Sequence, residues 1–93
     1  ATIDLSILDA EVNPTLSFLL ENIGTTSMRF YATNIEGGLP GAGAVIDLMP
    51  GSNITKTVLQ LIGELGLNDT NHFLGILNTG PSGTGGYKVT ISV

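Results

Sequence analysis

Apolar residues recur at every second position through most of this chain, and that period of two constrains its fold more than any other feature. Near the start, Ile3, Leu5 and Ile7 alternate with Thr2, Asp4 and Ser6. At the end, Tyr87, Val89, Ile91 and Val93 alternate with Lys88, Thr90 and Ser92. Successive side chains of a strand leave on opposite faces, so this alternation specifies half-buried strands. Residues 15–21 repeat it with Leu16, Phe18 and Leu20. Residues 27–33 repeat it with Met28, Phe30 and Ala32, which leaves Arg29, Tyr31 and Thr33 facing outward.

The punctuation between these runs is that of a β protein. Pro14 disfavours helix at Asn13. Residues 22–26 read as a turn around Gly24, and Pro50-Gly51 as another. Residues 34–43 hold four glycines and Pro40 and read as a long loop. A short strand is expected over 44–49, and another over 70–78, apolar on both faces as a central strand should be. Residues 79–85 form a glycine-rich hairpin loop ahead of the closing strand, 86–93.

Residues 54–62 are ambiguous. As a strand they offer Thr55, Thr57, Leu59 and Leu61 on one face. As a helix, Val58, Leu61, Ile62 and Leu65 fall at i, i+3, i+4 and i+7. Gly63 and Gly66 weaken a helix, so a strand running into a turn is expected. About seven short strands with turn signals between them specify an all-β chain, a single antiparallel β-sandwich over residues 1–93. Leu16, Phe18, Leu20, Met28, Phe30, Val89 and Ile91 are its expected core.

At 93 residues and 9.6 kDa, area scaling allows about 5,100 Å² of folded surface. That supports one thin core and no deep cleft between domains. Charged residues make up 12% of the chain, half the usual ~25%, so Ser, Thr, Asn and Gly must dress the surface. So lightly charged a surface is poorly protected against association. The net charge is −5, and Arg29, Lys56 and Lys88 lie far apart. Nucleic acids and anionic membranes need clustered cations, so both are set aside as partners. No apolar run approaches the ~20 residues of a membrane span. The chain has no cysteine, which excludes disulfides, thiolate metal sites and cysteine nucleophiles. Ala1 suits the first residue after a small-residue cleavage site, as at a mature end.

Candidate chemistry is sparse. His72 could join Asp69 and a serine, but the chain has no Gly-x-Ser-x-Gly elbow. A surface or loop histidine is the plainer reading, and no enzyme is expected. Asn68, Asp69 and Asn71 cluster oxygen atoms suited to calcium. They lack the EF-hand spacing, and such residues more often make a turn on their own backbone. Gly80-Pro-Ser-Gly-Thr-Gly-Gly lacks the lysine of a phosphate-binding loop and leads into a strand. No metal or cofactor is therefore expected. Asn53-Ile-Thr and Asn68-Asp-Thr are N-glycosylation sequons beside turn signals, so Asn53 and Asn68 are candidate glycan sites.

The run Leu16-Ser-Phe-Leu-Leu-Glu-Asn-Ile-Gly-Thr-Thr, the Met49-Pro-Gly-Ser turn and the closing Gly86-Tyr-Lys-Val-Thr-Ile-Ser-Val resemble the immunoglobulin-like sandwiches of microbial surface proteins. The shape is also similar to that of pilus subunits that exchange a terminal strand. The resemblance implies a secreted, non-enzymatic filament subunit whose partners are copies of itself. In such a subunit residues 1–8 are the possible donor strand, inserting Ile3, Leu5 and Ile7 into the next copy. The rival readings are a carbohydrate- or cell-adhesive module, with Tyr31 and Tyr87 as its exposed aromatic platforms, and a viral or phage decoration protein.

Overall fold

The computed structural model describes residues 1–5, 16–41, 43–80 and 85–92. Among them are seven strands and one helix. In chain order these are β1 (Thr2–Asp4), β2 (Ser17–Asn22), β3 (Met28–Thr33), β4 (Val45–Leu48), β5 (Asn53–Thr57), α1 (Val58–Leu65), β6 (Phe73–Asn78) and β7 (Tyr87–Ser92). They form two antiparallel sheets, one of four strands ordered β1-β6-β3-β4 and one of three ordered β5-β2-β7. The accessible surface, 5279 Å², is close to that expected from mass alone.

Both sheets contribute to a single core. Phe18 and Leu20 come from β2; Met28, Phe30, Leu48, Leu74 and Ile76 come from the four-stranded sheet. Leu5, Leu16, Val58, Leu61, Leu65 and Leu67 complete it. Strand registers define two ends. At one, residues 23–27, 49–52, 79–80 and 85–86 meet. At the other lie α1, residues 34–41 and 43–44, and residues 66–72.

The strand expected over 54–62 is corrected: β5 stops at Thr57 and a helix takes over. Two local signals overcome the glycines. Gln60 N–H donates to Thr57 Oγ1 at 3.1 Å, and Thr57 N–H donates to Gln60 Oε1 at 2.8 Å, a reciprocal cap. Val58, Leu61 and Leu65 then fall on one buried stripe. Gly63 is on the exposed side, and Gly66, left-handed at φ +76°, ends the helix. The Met49–Ser52 turn also closes as its residues demand. Ser52 N–H donates to Met49 O at 3.0 Å, and Gly51 supplies the φ of +80° that a type II turn needs.

Two expectations about exposure are also corrected. Ile91 is 47% exposed, because β7 is an edge strand of the smaller sheet among the described strands; Val89 packs only partly against the core. Tyr31 is 3% exposed although it points away from the core. Its ring lies over Gly75, its cross-strand neighbour on β6, where a Cβ would collide with it. The segment after β3 folds back over that face at Gly38, where Tyr31 Oη donates to Gly38 O at 2.6 Å. Burial raises the pKa of the Tyr31 hydroxyl. Strand β6 also begins later than expected, at Phe73, because Asn68–Asn71 closes a turn first: Asn68 Oδ1 accepts from the backbone N–H of Thr70 and Asn71.

Candidate assembly site

Three residues, Thr2–Asp4, make β1 an edge strand. Thr2 pairs with Gly75, Ile3 with Leu74 and Asp4 with Phe73. The pairing extends one residue each way. Ile76 N–H donates to Ala1 O at 2.8 Å, and Leu5 N–H to His72 O at 2.9 Å. Alternation sends Ile3 and Leu5 inward: Ile3 packs half-buried against the core, and Leu5 lies within it. Ile7 lies outside the described residues. On the outer face, Thr2 Oγ1 accepts from Gly37 N–H at 2.9 Å, and Asp4 Oδ1 lies 3.0 Å from His72 Nδ1. The chain's one histidine therefore clasps the end of β1, and its ring lies tilted against Phe73 with centroids 4.4 Å apart.

Asn53 and Asn68, the two sequon asparagines, are both exposed. Among the described residues, no group of three or more His, Asp or Glu side chains is placed to hold a metal ion. No helix there is long and apolar enough to cross a membrane.

The least expected residue is Asn22. It is buried at the end of β2, and its side chain ties two turns to one strand end. Nδ2 donates to Thr26 O at 2.8 Å and to Leu48 O at 3.0 Å, while Oδ1 accepts from Gly24 N–H at 3.0 Å. Its backbone joins in: Gly51 N–H donates to Asn22 O, and Asn22 N–H to Ser52 O. Nothing in the sequence separates this asparagine from an ordinary turn residue. Beside it, Thr26 Oγ1 donates to Asn78 Oδ1 at 2.6 Å. Replacing Asn22 by Asp turns a double donor into an acceptor facing two carbonyls in a site closed to water. Asn22→Asp is expected to cost about 1–3 kcal/mol, read from urea unfolding, whereas Asn53→Asp should be near neutral.

Across β3 and β4, Arg29 grips Asp47 with two bonds, Nε to Oδ1 at 2.8 Å and a terminal nitrogen to Oδ2 at 3.1 Å. The hydrogen bond from Arg29 holds the Asp47 carboxyl below the usual carboxylate range against an opposing desolvation, with the Arg29 charge adding to the lowering. A depressed acid stabilises the fold above its unfolded pKa, and that contribution is lost as pH falls through the folded value. Melting temperature should therefore drop on acidification below about pH 4, and Asp47→Asn should flatten part of that slope. Both groups are exposed, so the effect is small.

Compared with known proteins, the chain matches no family model, no curated protein and no solved structure.

Proposed function

We propose that the chain is a non-enzymatic structural subunit of an extracellular filament, an immunoglobulin-like β-sandwich joined to its neighbours by donation of the N-terminal strand. One observation carries this reading. Residues 1–5 lend Leu5 and part of Ile3 to the core, yet among the described residues the ladder bonds of β1 run to β6 alone. A strand held on one edge is separable, and the same strand of a second copy satisfies the same edge and fills the same space. Low charge and a Ser/Thr/Asn surface favour contact between copies. The adhesive-module reading loses support because one of its two aromatic platforms, Tyr31, is buried.

Negative-stain micrographs and sedimentation of the native protein test the proposal. Filaments, or species that grow with concentration, are expected. A monomer at millimolar concentration would refute it and favour a binding module.

Extracellular placement also makes Asn53 and Asn68 glycan carriers. Intact mass of material from the native source should exceed that of the bare chain by one or two glycans. A mass equal to the bare chain's refutes the modification.

A further inference from the structure

We infer that the turn at residues 35–38 is a strap across the outer face of the four-stranded sheet, that it pins β1 in place, and that it thereby sets how fast β1 is exchanged between copies. The statement about rate rests on the reading that β1 is donated. The pinning does not.

The strap follows from one row of aligned positions. Thr2 of β1, Gly75 of β6 and Tyr31 of β3 are successive cross-strand neighbours, so all three belong to the outer face. Gly75 carries no side chain there, and the Tyr31 ring takes the space a Cβ would need. From that position Tyr31 Oη donates to Gly38 O at 2.6 Å, while Gly37 N–H donates to Thr2 Oγ1 at 2.9 Å. The turn is therefore tied to β3 by Tyr31 and to β1 by Thr2, and β6 lies between those two strands. Its own shape is fixed as well. Gly38 N–H closes it on Ile35 O at 2.9 Å, with Gly37 left-handed at φ +73°. Asp4 against His72 Nδ1, at 3.0 Å, is a second and separate hold on the same face of β1.

These two holds act on the barrier to exchange and not on its outcome. A three-residue edge strand opens more cheaply than the sheet it lines. Opening must still break the ladder bonds, uncover Leu5 and release both holds before another strand can enter. Once the β1 of a second copy has entered, its Thr2 meets the same Gly37 and its Asp4 the same His72. Exchanging an identical element leaves the bonds at the site unchanged in kind and number. The holds are present before and after exchange and absent only in between, so they cancel from the equilibrium and remain in the rate. A subunit closed on its own strand is thus held back from assembly by the strap without being made a poorer partner.

Amide hydrogen exchange of the full chain reads the opening directly, through Ile76 N–H, bonded to Ala1 O, and Leu5 N–H, bonded to His72 O. Thr2→Val keeps the shape of the side chain and removes the acceptor. Tyr31→Phe keeps the ring over Gly75 and removes the bond to Gly38. Each should speed exchange at these two amides about two- to fivefold, the worth of one exposed hydrogen bond. Tyr31 acts only through the strap, so Tyr31→Phe should add nothing in the Thr2→Val background. His72→Ala, on the other hold, should multiply with Thr2→Val. In sedimentation time courses Thr2→Val should approach the wild-type plateau faster by a similar factor and should not raise it. If Leu5 and Ile76 exchange at wild-type rates in Thr2→Val, or Tyr31→Phe acts equally with and without Thr2, the strap is overturned while the filament reading stands. A raised plateau also overturns it, because the strand of a second copy would then not be held as the chain's own is. If the amides respond as expected and wild type never associates, the strap stands as a pin on β1 and the donation reading falls.

Discussion

Phe30→Ala is expected to remove about 3–5 kcal/mol of stability, most of what a domain this size possesses. Phe30 is fully buried at the middle of β3, between Ile46 of β4 and Ile76 of β6. Its ring belongs to the core cluster to which both sheets contribute, so truncation empties part of that cluster. Thin cores relax poorly around such a hole, because few side chains are long enough to fill it. At about 4–8 °C per kcal/mol the melting temperature should fall by tens of degrees, leaving a marginal protein at 37 °C. Urea and thermal unfolding measure this directly. Ile91→Ala is the control: it removes a large aliphatic group from the same kind of alternating pattern, but from an exposed site, and should cost well under Phe30→Ala. Equal losses would mean that β7 is covered as heavily as β3, contrary to its exposure.

That control marks the boundary of what was legible in the sequence. Alternation reports which face of a strand a side chain occupies, and it placed Phe18, Leu20, Met28 and Phe30 inward. It does not report what stands opposite. Ile91 shares a face with Phe18 across the β2–β7 ladder, yet one is buried and the other half open, because β7 is the last described strand of its sheet. Tyr31 fails in the opposite sense. It does point away from the core, but Gly75 leaves a bare patch under its ring and the segment around Gly38 closes over it. That burial depends on two segments remote in sequence, so no local period could reveal it.

The helix was legible in part. Its period and the Thr57-x-x-Gln60 spacing were both present. The glycines argued against it only while their places were unknown; one is exposed, the other a terminator. Asn22 was not legible, since its partners Thr26, Leu48 and Gly24 converge only once two turns are stacked. Of the proposed donor residues, Ile3 and Leu5 sit on the inward face and Ile7 lies outside the described residues.

Leu5→Asp should abolish assembly and weaken the monomer together, and that pairing of effects is what distinguishes a donated strand from a merely structural one. Leu5 is 8% exposed within the core. Burying Leu5 is worth about 1.5–3 kcal/mol, and a carboxylate in its place adds the cost of an unpaired charge in an apolar pocket. Deleting residues 1–5 should go further, since it also bares the β6 edge from Phe73 to Ile76 and leaves those backbone groups open to any passing strand. Asp4→Asn, on the outer face, alters the exposed His72 contact and should assemble normally. Rescue carries the decisive information. A synthetic peptide of residues 1–8 added to the truncated protein should restore a soluble, cooperatively melting species, because the acceptor edge does not distinguish a tethered strand from a free one. It should not restore filaments, because a free peptide ends the chain at each subunit. Filaments from the truncated protein alone would remove β1 as the connector. If the peptide rescues folding, and wild type never sediments as more than a monomer, β1 serves only its own chain.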